Sequence, residues 1–281
     1  MIELRKKKDP KLIQSLKAAT INTLFALSVM EGYVDGKVFV DDEVNPASFY
    51  LEHPYGMALL YGENGKEAFY EEVKSHLLNL GKTRTGTVWL QVYPSALYPK
   101  IDSLLGERLI KKGPDEPYSN TSAAEADKVL QYDRINFNFQ EDQYLALKKQ
   151  LSHENDKIIA TTEDLFNQMN GTVIPKYFWN NYRDFSKNGI GFTLLQNGVA
   201  VSTAFSSVLT DHKLEIGIET STAHRGSGFA ARVCIQLIDH CLKNGLEPVW
   251  SCNSGNMGSR GLAKRLGFTE CKRIPYYRLP V

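Results

Sequence analysis

Residues 215–245 read EIGIETSTAHRGSGFAARVCIQLIDHCLKNG: an apolar strand, a glycine-bracketed basic loop and a long amphipathic segment laid end to end. Arg225, Gly228 and Ala230 form the spacing R-x-x-G-x-A between that strand and a helix expected over about residues 228–244. Backbone N–H groups in such a turn converge at the positive end of the helix, where they suit an anion, and the expected anion is a phosphate. Phe229, Val233, Leu237 and Cys241 recur every four residues and mark one buried helix face, and Asn244-Gly245 supplies the stop.

On the amino side, IGFTLL (190–195) and VAVSTAFSSVL (199–209) are strands joined through the hairpin signal Asn197-Gly198, and KLEIGIE (213–219) extends them into an antiparallel meander. On the carboxyl side come the buried-type strand EPVWSC (247–252), a short helix in NMGSRGLAKRLGF (256–268) and a last strand after Phe268. If KLEIGIE and EPVWSC are parallel, the helix between them makes a right-handed β-α-β crossover. KIIATT (157–162) is a further strand, and 163–188 is helical or irregular, with Tyr177, Phe178, Trp179, Tyr182 and Phe185 read as core.

The first half opens with Asp9-Pro10 as a helix start and one or two helices carried by Leu12, Ile13, Leu16, Leu24 and Phe25. GKVFVDD, SFYLEHP and MALLYG are short strands, followed by a helix over about 66–80, the strand TVWLQVYP, a helix within residues 97–112, a loop and the strand RINFNF. A polar helix in QEDQYLALKKQLSHENDK leads to a domain boundary near residue 150, dividing the chain into domains 1–150 and 151–281.

The chain of 281 residues is long enough for two such domains. A hydrophobic content of 42%, a charged content of 23% and a net charge of +1 describe a soluble globular protein without the basic excess of a nucleic-acid binder. Lys6, Lys7 and Lys8 are read as solvated. MIELRKKKDP is followed by no apolar segment of secretory type, and no apolar run reaches the roughly 18 residues that span a bilayer, so the expectation is a cytoplasmic protein without a membrane partner. Cys234, Cys241, Cys252 and Cys271 include no C-x-x-C pair, so no metal site is expected. Cys234 and Cys241 lie seven apart on one helical face. About 10 Å of rise separates them, too far for a disulfide. Asn120-Thr121-Ser122 and Asn170-Gly171-Thr172 are sequons by chance.

Asn256, Ser259, Leu262, Gly267 and Phe268 stand about thirty residues after the loop in the spacing N-x-x-[AS]-x-x-L-x-x-x-x-G-F. With the R-x-x-G-x-A loop and the order of elements, they make roughly residues 156–281 resemble the GNAT superfamily of acetyl-CoA-dependent N-acetyltransferases. LEIGIET, CLKNGLEPVWSC and LAKRLGF further resemble the two-domain bacterial branch that includes zwittermicin A resistance proteins. The resemblance implies an α/β (α+β) fold with a mixed, mostly antiparallel sheet in the C-terminal domain. It also implies that Arg225, Gly226, Ser227, Gly228, Phe229 and Ala230 hold the pyrophosphate of CoA, that the main chain at Ile218 and Thr220 pairs with the pantetheine amides, and that Asn256 and Ser259 of the second motif belong to the same site.

Acetyl transfer requires a neutral amine, whereas a free alkylamine has a pKa near 10. Glu215 and Glu219 point to one side of their strand and are the candidate catalytic carboxylates, with His224 as an alternative base. Ala263 stands where many members of the superfamily carry a tyrosine that protonates the departing thiolate, which leaves Tyr276, Tyr277 or water for that role. The expected activity is acetyl transfer from acetyl-CoA to a primary amine, with a non-catalytic acyl-CoA-binding regulator and a protein acetyltransferase as alternatives. The N-terminal domain repeats the same order of strands and helices and reads as a degenerate GNAT-like half. Its Gly62-Glu63-Asn64-Gly65-Lys66-Glu67 turn lacks the motif and carries acidic side chains, so one CoA per chain is expected.

Overall fold

In the computed structural model, which describes residues 1–5, 7–118, 122–151 and 157–281, the chain begins with β1 (Ile2–Glu3), α1 (Pro10–Ala18), α2 (Leu24–Met30), β2 (Lys37–Val40), β3 (Phe49–Glu52) and β4 (Met57–Tyr61). α3 (Glu67–Leu77), β5 (Val88–Tyr93), α4 (Tyr98–Leu105), β6 (Leu109–Lys111) and β7 (Val129–Phe139) follow. Next come α5 (Glu141–Leu151), β8 (Lys157–Ala160), α6 (Glu163–Gln168), α7 (Tyr182–Asn188), β9 (Gly191–Gln196), β10 (Val199–Leu209) and β11 (Lys213–Thr220). The chain closes with α8 (Phe229–Lys243), β12 (Glu247–Asn253), α9 (Met257–Arg265) and β13 (Phe268–Leu279). Lys6, Asn120 and Thr121 of the first sequon, and residues 152–156 of the expected connector lie outside the described residues.

Two compact units result. The first comprises Met1–Ile135, Cys252–Asn256 and Lys272–Val281, and the second comprises Asn136–Ser251 and Met257–Cys271. The division therefore does not follow a single cut of the chain. The expected boundary near residue 150 falls at the end of α5, beside the undescribed residues.

In the first unit β1 to β4 form an antiparallel run, β4 and β5 are parallel across α3, and β13 lies between β5 and β7. Asp9 caps α1 by accepting from the N–H groups of Lys11 (2.8 Å) and Leu12 (3.1 Å), as Asp9-Pro10 predicts. Phe69, Tyr70, Val73 and Leu77 of α3 pack with Ile101, Leu104 and Leu105 of α4 onto Tyr50, Ala58, Leu60, Leu90 and Val92 of the sheet. α4 is the helix expected within residues 97–112, and β6 is a strand that the sequence reading does not contain. α4 ends at Gly106, whose φ of 49° turns the chain out of the helix, and Leu109–Lys111 then pair in parallel with β7.

The second unit repeats the pattern. β8 to β11 are antiparallel, and β11 and β12 are parallel across α8, as a β-α-β connection requires. α8 buries Phe229, Val233, Leu237 and Cys241, the stripe expected at four-residue spacing, against β9, β10 and β11. Burying each of its large aliphatic side chains is worth about 1.5–3 kcal/mol. Residues 163–188 break into two short helices and a 3-10 turn at Pro175–Tyr177, with Phe178, Trp179 and Phe185 buried and Tyr177 exposed. No helix of the described residues is long and apolar enough to cross a membrane.

Candidate active site

β11 and β12 start in register, pairing Lys213 with Glu247, Leu214 with Pro248 and Glu215 with Val249. Among the described residues their pairing ends there, although β11 continues to Thr220 and β12 to Asn253. From Ile216 to Thr220 the β12 side of β11 is thus left without ladder pairing to its parallel neighbour, while its other edge stays paired with β10 through Ile218–Ala204 and Thr220–Ser202. An extended ligand carrying amides can add to such an edge as a further strand.

Beyond Thr220 a 3-10 turn at Thr222–His224 leads into the loop. Gly226 and Gly228 have φ values of 80° and 79°, and nothing lies within 4 Å of where either would carry a Cβ. The glycines are needed for the left-handed turn, and the space beside them is open. Gly228 is the N-cap of α8 and brings no side chain to cap the helix. The first N–H groups of α8 have no intrahelical acceptor, so the loop presents donors and the positive end of a fifteen-residue helix to that space. This donor set, with no side-chain cap at Gly228, fits the pyrophosphate of CoA.

The carboxylates sit on the face of β11 opposite Ile216 and Ile218. Both are buried, with Glu215 7% and Glu219 9% exposed. Glu215 stands where β11 and β12 part, and its Oε1 accepts from the Ser251 hydroxyl at 3.0 Å. Between the two acids a Cβ on Gly217 would lie 2.4 Å from the Phe205 ring, so glycine makes room for that aromatic floor. Glu219 accepts from the backbone N–H of Thr172 (2.7 Å) and Val173 (3.0 Å), from the Thr172 hydroxyl (3.3 Å) and from the Arg225 guanidinium (3.2 Å). The geometry therefore distinguishes two acids that are alike in sequence.

The other expected residues fall as follows. Ser227, Phe229 and Ala230 lie in the loop and the first turn of α8, and Phe229 is buried. Arg225 is exposed, and its Nε also donates to the Thr220 carbonyl at 3.2 Å. The Ser259 hydroxyl accepts from the Trp250 indole at 3.1 Å. Asn256 follows β12 in the 252–256 segment of the first unit, with its N–H donated to the Asn253 carbonyl. The His224 ring is 2.8 Å from the Ser221 hydroxyl. Tyr277 is built into the apolar core of the first unit, where burial raises its pKa, and Tyr276 stacks on Trp89 at 4.9 Å in the same unit. Ala263 is fully buried in α9. Ser251, Thr172, Val173 and Trp250 escaped the sequence reading. Gly171 was the available signal, since its φ of 154° and the 2.5 Å from its would-be Cβ to Glu219 exclude other residues. Among the described residues no group of three His, Cys, Asp or Glu side chains could hold a metal ion.

A family model described as GNAT acetyltransferase matches residues 14–277. A Bacillus subtilis protein described as the uncharacterized N-acetyltransferase YdfB is 26% identical over 256 residues, covering 90% of this chain and 89% of that protein. Among solved structures, a GCN5-related N-acetyltransferase-like protein from Streptococcus suis superposes with a TM-score of 0.67 at 20% identity, covering 96% of this chain and 97% of that one. A tandem GNAT protein from the clavulanic acid biosynthesis pathway superposes with a TM-score of 0.58 at 12% identity, covering 99% and 97%. At these identities the structures speak for the fold alone.

Proposed function

The chain belongs to the GNAT acetyltransferase family, and on that premise we propose that it moves an acetyl group from acetyl-CoA to a primary amine by direct attack. The observation that carries this reading is the coincidence, within the second unit, of an uncapped helix end behind two positive-φ glycines, a free strand edge and a buried carboxylate where the parallel strands part.

The Gly226–Ala230 loop and the start of α8 bind the pyrophosphate, with Arg225 beside them, and the β11 edge at Ile218 and Thr220 aligns the pantetheine arm. Ser259 completes the set proposed for CoA within the second unit. When bound, acetyl-CoA supplies an acyl group activated as a thioester. Glu215 takes the proton of the incoming ammonium directly or through a water, and Ser251 fixes the orientation of that carboxylate. Glu219, the second acid of the pair, holds the neighbouring loop.

We place the activity in a cytoplasmic protein that uses neither metal nor nucleic acid. The second unit carries the catalytic residues, and the first is a half that no longer binds CoA. The resemblance to the zwittermicin A resistance branch favours an antibiotic-like polyamine or amino sugar as acceptor, in a detoxifying role. Incubation with acetyl-CoA and a panel of polyamines and amino sugars tests this by the free thiol released. Thiol release with at least one amine is expected. CoA binding without thiol release for any amine would favour the non-catalytic regulator, which buried Ala263 in place of the family's tyrosine would then explain.

A further inference from the structure

Resting on that reading, we infer that Glu219 is a positioning residue that couples CoA binding to the wall of the acceptor site. One of its carboxylate oxygens holds the main chain of Thr172 and Val173, and the other holds Arg225 of the phosphate loop. One buried side chain thus ties together two segments about fifty residues apart in sequence. Gly171 is the companion device: any side chain there would strike Glu219, so the loop reaches the carboxylate only with glycine at the corner.

The segment that Glu219 holds runs across the face that carries Glu215. Just beyond Val173, Ile174 and Pro175 are buried, Phe178 packs on Phe205 at 5.6 Å, and the Trp179 indole donates to the Ser206 carbonyl at 2.8 Å. Those contacts anchor one end of the segment to β10, and Glu219 anchors the other to β11. Arg225 reaches Glu219 through Nη2 and Thr220 through Nε, and as a planar five-donor group it can face a pyrophosphate while keeping both. An occupied phosphate loop immobilises Arg225, Arg225 immobilises Glu219, and the 171–173 turn becomes more rigid. An amine then meets a preformed wall, which makes its affinity depend on CoA.

Hydrogen exchange at the Thr172 and Val173 amides tests the coupling, with and without CoA at concentrations shown by calorimetry to saturate each protein. CoA is expected to slow this exchange by about tenfold in the wild type, within the usual range of coupling between sites, and to leave it unchanged in Arg225→Ala. For Glu219→Gln the expected kinetic signature is an acceptor KM raised about tenfold with kcat changed less than about threefold. Absence of CoA binding in the wild type would remove the proposed function and the coupling with it. CoA binding that leaves the two amides unaffected, or protects them equally in Arg225→Ala, would remove the coupling alone. So would a Glu219→Gln defect confined to kcat.

Discussion

The two units use the same succession of strands and helices, yet one parallel pair is closed and the other is open. In the first unit β4 and β5 pair from Met57–Trp89 through Tyr61–Tyr93, to the last residue of each strand. In the second, β11 and β12 separate after Glu215–Val249. The turns that follow differ in the same sense. Gly62 donates its N–H to Tyr93, and its carbonyl accepts from the Ser48 hydroxyl (2.7 Å) and the Tyr70 hydroxyl (2.8 Å). Asp41 accepts from the Lys66 N–H at the start of α3, so a carboxylate of the protein itself stands where a bound phosphate would. At Gly226 and Gly228, by contrast, no atom of the described residues lies within 4 Å of where a Cβ would stand. The lesson is that a shared topology does not make a shared site. The turn of the first unit is filled by the protein's own side chains, whereas the glycines of the second face open space.

The largest effect expected is on ligand binding in the open loop. Gly228→Glu puts a side chain and a negative charge into the space beside α8 and should weaken CoA by more than about a thousandfold, or about 4 kcal/mol. It should also abolish the thermal stabilisation of about 2.7 kcal/mol that the wild type gains at one hundred times the dissociation constant. Equal thermal shifts for the two proteins would remove the phosphate-loop assignment. In the closed loop the cost should appear in folding instead. Gly62 has a φ of 89°, and a Cβ there would lie 2.1 Å from the Ala47 carbonyl oxygen. Gly62→Ala should lose about 3 kcal/mol or more in urea denaturation, whereas Gly228→Ala, with open space around it, should lose only about 1 kcal/mol of conformational strain. Similar losses for the two variants would erase the distinction between the loops.

The first unit should also carry a pH dependence. His53 accepts the Tyr55 N–H at Nδ1, and burial lowers its pKa from 6.5 to about 4. Its neutral form is therefore the folded form: stability is complete above pH 6.5 and falls as the pH drops toward 4, because the unfolded chain binds the proton more readily. The loss amounts to about 3 kcal/mol. Urea denaturation at pH 7 and pH 4.5 should show a smaller drop for His53→Asn than for the wild type, and equal drops would acquit His53. A smaller effect still is expected at Glu215. Glu215→Gln should lower kcat about a hundredfold near neutral pH with little change in CoA affinity, and the deficit should shrink at high pH as free amine becomes available. A deficit that is the same at every pH would move the proton transfer to another group.

Much of the second unit was legible because its signals are local. The R-x-x-G-x-A loop, the four-residue spacing from Phe229 to Cys241 and the Asn197-Gly198 hairpin each state their geometry within a few residues. VAVSTAFSSVL became β10 over the residues read as strand. What stayed hidden depends on contacts remote in sequence. The partners of Glu219 at Thr172 and Val173 lie 47 and 46 residues away, and Ser251 lies 36 from Glu215. Asp41 meets Lys66 across 25 residues, so the acidic side chains at Glu63 and Glu67 suggest repulsion of a pyrophosphate but nothing local shows the carboxylate that fills the loop. The assignment of 272–281 to the first unit was invisible for the same reason, since nothing in TECKRIPYYRL tells that Tyr277–Leu279 will pair with β5.

The central claim is that only the open loop of the second unit binds CoA. Calorimetric titration of the intact chain with CoA tests it most directly. The account predicts one CoA per chain, lost in Gly228→Glu and kept in Glu63→Arg, which makes the closed loop more basic without emptying it. A stoichiometry of two, or a second site appearing in Glu63→Arg, would contradict it.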